Sequence, residues 1–280
     1  MRKIHVKEIV EEVKKACIEA NYNLPNDILQ ILEERKKKEQ NQLGKEILKD
    51  ICENAYLARH EGIPICQDTG TTVVFVRLGQ EVYIEGGLLT DAINEGVRQG
   101  YTEGYLRKSI VENPLYRKNT GDNTPAIIHY DLVAGHVLEM IVAPKGGGSE
   151  NMSKVYMLTP SQGIEGVEKV VLETVKIAGP NACLPMVVGL GIGGNFEQCT
   201  LLAKKALLRT IGSHNPDERM RKLEENLLGK INSLGIGPQG LGGDTSALAV
   251  HIEDYPCHIA SMPVAINIGC HVNRHISISL

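Results

Sequence analysis

A chain of 280 residues can bury a sizeable hydrophobic core, and 42% apolar against 23% charged residues is a globular composition. A formal net charge of -4 argues against a general nucleic-acid binder, and no apolar run approaches the roughly 20 residues of a membrane span. The opening Met1-Arg2-Lys3-Ile4-His5-Val6 becomes charged too early for a secretory signal, so a cytoplasmic location is expected.

The first sixty residues read as helical. Val6, Ile9, Val10, Val13 and Ile18 recur at helical spacing. A second helix begins at Pro25 or Asn26 and carries Ile28, Leu29, Ile31 and Leu32 into the charged run Glu33 to Glu39, which reads as a solvated face. A third covers about residues 43–58, with Ile47, Ile51 and Leu57 on its buried side and Cys52 as a small core residue. After Gly62, strands are expected at 72–78, 126–130, 136–142, 186–190, 247–252 and 259–268. Helices at 90–98, 166–177, 197–208 and 217–233 alternate with them. No repeat or linker interrupts this pattern. The expected architecture is one mixed α/β domain over 1–280, in which residues 1–60 form a helical N-terminal layer packed on a mixed sheet with flanking helices, and 61–280 form the body.

Seven cysteines without scaffold spacing, in a chain of this length, are expected to be reduced thiols. Three stand apart: Cys66 before Gln67-Asp68-Thr69-Gly70, Cys183 between Gly179-Pro180 and Pro185, and Cys270 after the apolar run 264–268. Each marks a junction between a regular element and a tight turn, where sites concentrate. Taken singly, each reads as a small buried residue; taken as three, with polar neighbours beside two of them, they read equally well as metal ligands. None belongs to a CxxC pair, so a structural zinc site lacks its usual signature. Three thiolates on a four-iron cluster would leave one iron open to act as a Lewis acid, which points to catalysis rather than electron transfer. Cys17, Cys52, Cys199 and Cys257 are assigned to packing.

Other candidates accompany these thiols. Asp68 can move a proton, or simply cap the strand that follows it. Arg107 can clamp a carboxylate or lie solvated on the surface. His258, at the start of an apolar strand, and Arg274 and His275, after Cys270, are further polar candidates. In Lys145-Gly146-Gly147-Gly148-Ser149-Glu150-Asn151, successive amides can point at a carboxylate. Gly189-x-Gly191-x-x-Gly194 matches a dinucleotide fingerprint literally, but the acidic residue expected some twenty positions later is displaced. Close backbone packing explains these glycines as well.

Several motifs together resemble the α subunit, or N-terminal domain, of class I iron–sulfur-dependent fumarate hydratases and the related L-tartrate dehydratases. They are Pro64-Ile65-Cys66-Gln67-Asp68-Thr69-Gly70, Asn119-Thr120-Gly121-Asp122-Asn123-Thr124-Pro125-Ala126, the Lys145–Asn151 loop, the runs 189–194 and 235–243, and Cys270-x-x-x-Arg274-His275. The resemblance covers the chain from about residue 5 to its end. It implies a [4Fe–4S] cluster on Cys66, Cys183 and Cys270 with one open iron. It further implies that Gln67, Arg107, Gly147 and His258 face a C4 dicarboxylate, with Asp68 in proton transfer. The implied reaction is reversible hydration of fumarate to (S)-malate, a tricarboxylic acid cycle step. Relatives in one chain carry a second domain, so a separate β subunit, in an α2β2 assembly, is expected to complete the site. Dehydration of L-tartrate is the near alternative; an NAD(P)-binding oxidoreductase and a structural zinc protein are the distant ones.

Overall fold

In the computed structural model, which describes residues 2–280, a short strand β1 (Arg2–His5) precedes the first helix, α1 (Val6–Tyr22). His5 caps that helix: its Nδ1 accepts from Lys7 N at 3.1 Å, and Glu8 reaches back to the His5 amide. The chain continues through α2 (Asn26–Lys38), α3 (Gln42–Glu61), β2 (Thr71–Gly79), β3 (Val82–Glu85) and α4 (Leu89–Glu103). Next come β4 (Ile127–Val133), β5 (Leu138–Lys145), the single turn α5 (Gly147–Glu150), β6 (Lys154–Leu158) and α6 (Gly163–Ala178). β7 (Met186–Gly193), α7 (Phe196–Ala206), α8 (Glu218–Asn232), β8 (Ala247–Tyr255), β9 (Met262–Gly269) and β10 (Ile276–Ser279) complete it. The mixed α/β character is as expected, and every anticipated helix and strand is present. The short strands β1, β3, β6 and β10 were not anticipated, because four or five residues are too few to establish a period of two.

The chain divides into two compact units. The first comprises Met1–Pro25, Ala55–Gly147 and Arg274–Leu280. Its main sheet has the order β10-β5-β2-β4, with β2 parallel to β4 and antiparallel to β5. On one face Val74, Val76, Met140, Val142 and Ile278 pack with Ile9, Val13 and Cys17 of α1 and Ile93, Val97 and Tyr101 of α4. The two helices approach closely because α4 is bare where they touch: a Cβ on Gly96 would lie 2.7 Å from the Val13 Cβ, and one on Gly100 2.9 Å from the Cys17 Cβ.

The second unit comprises Asn26–Asn54 and Gly148–Asn273, around a sheet of order β6-β9-β7-β8. Val170, Val171 and Val175 of α6 and Leu223, Leu227 and Ile231 of α8 pack with Val188, Leu190, Val250, Ile252, Ile266 and Ile268. Of the helical first sixty residues, α1 belongs to the first unit and α2 to the second.

Three sequence expectations change. On α3 the buried stripe is Gly44, Leu48, Cys52, Ala55 and Ala58, so Ile47 and Ile51 are only half-buried and Leu57 is exposed. The stripe follows the small residues, which permit closer packing. Glu39, at the end of the charged run, is buried rather than solvated. Its Oε1 accepts from the amides of Asn41 and Asp244 at 3.1 and 2.8 Å. Burial alone would raise this carboxyl, but the amide bonds outweigh it and hold the group below its ordinary range. Finally, β9 starts at Met262, which leaves His258 in the exposed turn before it.

Candidate active site

The segment 66–70 connects α3 to β2 and is fixed from beneath by groups of its own unit. The buried Tyr101 hydroxyl donates to the Thr69 carbonyl at 2.6 Å and the Gly70 carbonyl at 3.1 Å. Burial pushes this phenol well above its usual range, so it remains a donor. The Arg274 Nη2 donates to the Asp68 carbonyl at 2.6 Å; the residue is 5% exposed and its buried Nε lacks a hydrogen-bond partner. Gly70 is held in the left-handed region at φ 77°, where an added Cβ would come within 2.7 Å of the Lys145 backbone. Only a residue without a side chain lets this turn and the end of β5 approach so closely.

This scaffold orients Asp68. Its Oδ1 accepts from the Gly70 amide at 3.0 Å and its Oδ2 from the Gly147 amide at 2.7 Å. The glycine loop does point an amide at a carboxylate, but the carboxylate is that of Asp68. Asp68 and Gly147 are thus in direct contact. Arg107 joins them through its backbone, whose carbonyl accepts the Thr69 hydroxyl at 2.8 Å. Cys66 and Asp68 are half-buried, while Gln67, Arg107 and Gly147 are exposed.

Asn123 lies in the Asn119–Ala126 motif, but sequence reasoning gives it no role of its own. Wholly buried at φ 62°, it donates from Nδ2 to the Gly70 carbonyl at 3.2 Å and accepts the Ser109 amide on Oδ1 at 2.7 Å. One side chain therefore ties the Cys66–Gly70 segment to the Arg107–Ser109 segment. Its own loop is anchored by Asp122, which accepts from Thr124 N and Oγ1 at 2.9 and 2.8 Å and from Arg98 Nε at 3.0 Å. Burial opposes ionisation of Asp122, yet the Thr124 and Arg98 donors bring it down to about 2. The polar run Asn119–Thr124 ahead of Pro125 was the available signal.

In the second unit, Cys183 has left-handed backbone (φ 52°) where a short turn ends ahead of Leu184-Pro185. Its carbonyl accepts from both the amide and Nδ1 of His271, at 3.3 and 2.9 Å, which brings the residue after Cys270 onto the Cys183 turn. His258 makes turn contacts, with its Nδ1 accepting the Ala260 amide at 3.2 Å and its carbonyl the Ser261 amide at 2.9 Å.

The thiols fall into two groups. Cys17, Cys52 and Cys199 are buried, and burial pushes the first two up to about 12 and raises the third, which suits packing and not metal ligation. Cys183 is exposed and Cys66 and Cys270 are half-buried. Their soft, accessible donors fit an iron–sulfur group. Cys257 is exposed, not packed, and donates to the Ser261 carbonyl at 3.3 Å. Among the described residues, no three His, Cys, Asp or Glu side chains are gathered as a metal-ligating group. No helix among them is long and apolar enough to cross a membrane.

The dinucleotide fingerprint has a packing explanation. Gly189 and Gly191 lie inside β7 against α7, and a Cβ on either would overlap a helix carbonyl, that of Ala203 or Cys199 respectively. Room for a pyrophosphate is what such a motif requires, and helix backbone fills it here.

The sequence profile of the family described as Fumarate hydratase (Fumerase) matches residues 10–279. The chain is 45% identical over 273 residues to a Methanocaldococcus jannaschii protein provisionally named L(+)-tartrate dehydratase subunit alpha, covering 95% of each. It is 34% identical over 272 residues to the L(+)-tartrate dehydratase subunit alpha of Escherichia coli strain K12, covering 96% of this chain and 89% of the relative. With its glycine-lined Asp68 loop, accessible thiols and near-complete match, the chain belongs to the fumarate hydratase (Fumerase) family.

Proposed function

We propose that this chain is the α subunit of a cytoplasmic iron–sulfur hydro-lyase that adds water reversibly across fumarate to give (S)-malate. A separate β subunit, in an α2β2 assembly, completes the active site. The family match and the name "subunit alpha" carried by the relatives support this reading. The observation that carries it is the seat of Asp68, a carboxylate held by two backbone amides two residues after an accessible cysteine.

Cys66, Cys183 and Cys270 would hold a [4Fe–4S] cluster with one iron free of protein ligands, which supplies Lewis acidity for a departing hydroxyl. The chain's own residues do the rest. Asp68, with both oxygens oriented by amides, exchanges a proton with the carbon beside a substrate carboxylate. Gly147 contributes by fixing that base. The exposed Arg107 guanidinium clamps a substrate carboxylate, and its backbone link to Thr69 keeps the clamp in register with Asp68. Gln67 and His258 supply hydrogen bonds to the remaining substrate oxygens.

The names of the relatives favour a second reading, dehydration of L-tartrate by the same machinery. Turnover on fumarate, (S)-malate and L-tartrate, measured with the β subunit present, separates the two. Asp68→Asn should cut turnover at least a hundredfold on whichever substrate is used and leave the visible spectrum intact (order of magnitude for a general base). Full activity in that variant would remove Asp68 from proton transfer.

A further inference from the structure

The main sheet of the first unit ends on β4, which pairs with β2 on one side only. Seven residues long, this edge carries neither Lys nor Pro, and Asp131 is its one acidic side chain. It exposes large apolar side chains instead, with Ile127 at 50%, Tyr130 at 46% and Leu132 at 64% of full exposure.

The hydrogen-bond parity of the edge is defined. The Val133 carbonyl accepts the Gln80 amide at 2.9 Å on the β2 side, so Ile127, His129, Asp131 and Val133 turn their backbone groups inward. Ile128, Tyr130 and Leu132 turn theirs away from the sheet. The next outward amide, that of Ala126, is already taken by Asn94 Oδ1 at 2.8 Å, which bounds the available edge.

The sequence of this edge, Ile127-Ile128-His129-Tyr130-Asp131-Leu132-Val133, is complementary to its own reverse. In an antiparallel pairing of two copies about a two-fold axis at Tyr130, Tyr130 faces Tyr130, Ile128 faces Leu132 and Ile127 faces Val133. His129 of each copy then faces Asp131 of the other, in the non-hydrogen-bonded positions where side chains approach most closely. Tyr130 and the 128/132 pairs fall in the hydrogen-bonded positions, as the outward parity requires. Apolar, polar and backbone patterns agree on this one register. A one-residue slip would set inward groups against outward ones and lose all three.

We infer that β4 is an interaction surface for a second copy of this chain, joining two four-stranded sheets into one through an isologous strand pair. In the α2β2 assembly proposed above, this is the α–α contact; it does not depend on the identity of the substrate.

The test has two parts. Light scattering during size exclusion of the full chain should give twice its 30.6 kDa mass, and Leu132→Lys should raise the dimer dissociation constant at least tenfold with an unchanged circular dichroism spectrum. Register is read by cysteine cross-linking. The hydrogen-bonded Tyr130 pair would stand about 5.5 Å apart at Cα, within disulfide reach. Tyr130→Cys should therefore oxidise to a covalent dimer well above the parent chain's background, and Leu132→Cys should not. A monomeric wild-type chain, a dimer indifferent to Leu132→Lys, or equal cross-linking at 130 and 132 would overturn the proposal. So would a monomer whose β4 becomes protected from hydrogen exchange only when the β subunit binds, because the edge would then belong to that partner. Hydratase activity is scored separately, so failure here leaves the catalytic reading standing.

Discussion

Replacing Asn123 by Ala removes both hydrogen bonds that join the Asp68 loop to the Arg107 segment. The Gly70 carbonyl retains its bond from the Tyr101 hydroxyl, so its loss is partial. The Ser109 amide loses its acceptor, a desolvation cost of about 1–3 kcal/mol if no water enters. Ala must also adopt the left-handed backbone at φ 62°, which costs about 1 kcal/mol more. The sum predicts destabilisation of about 3 kcal/mol, measured from urea unfolding. Asn123→Gly separates the contributions, because Gly relieves the backbone strain but restores neither bond; it should recover about 1 kcal/mol. With the β subunit present, both variants should lower kcat, since Arg107 and Asp68 lose their common anchor. An Ala variant within about 0.5 kcal/mol of wild type, with normal kcat, would refute the bridging role assigned to Asn123.

Two further perturbations test the packing. Buried His251 donates from Nδ1 to the Ala206 carbonyl (3.2 Å), and burial, with the nearby Arg209 charge, lowers its pKa to about 4. The unfolded chain therefore binds the proton first as pH falls below about 6.5, and by pH 5 roughly 2 kcal/mol of stability should be lost. His251→Gln should flatten that part of the stability–pH curve in urea titrations; an unchanged curve would assign the acid sensitivity elsewhere. Gly191→Ala should cost about 3 kcal/mol or more, because the added methyl meets the Cys199 carbonyl rather than a movable side chain. Ready accumulation of a folded Gly191→Ala chain would reopen the dinucleotide reading, which an NAD(P) titration would then decide.

Much of the fold was legible because long elements carry a period. The stripe on α1 and the apolar runs of β2, β7 and β9 identify themselves. The division into two units was not legible, since α2 carries the same kind of amphipathic pattern as α1 and nothing local says which core receives it. Glu39 misled for a related reason: its amide donors Asp244 and Asn41 include a residue some two hundred positions away. Cys66, Asp68 and the glycine loop stand out in the sequence by their unusual neighbours, and the structure shows a direct contact between Asp68 and Gly147. The roles of Tyr101, Asn123 and Arg274 were hidden because each acts on main-chain carbonyls, which leave no trace in side-chain chemistry.

Anaerobic reconstitution with iron and sulfide, followed by visible absorbance and iron and sulfide counts on wild type and Cys66→Ser, tests the central claim most directly. The account predicts a brown wild-type protein with about four irons per chain, and loss of the cluster in the variant. A wild-type chain that stays colourless under conditions that load a control protein, or a Cys66→Ser chain that retains the full iron count, would contradict it.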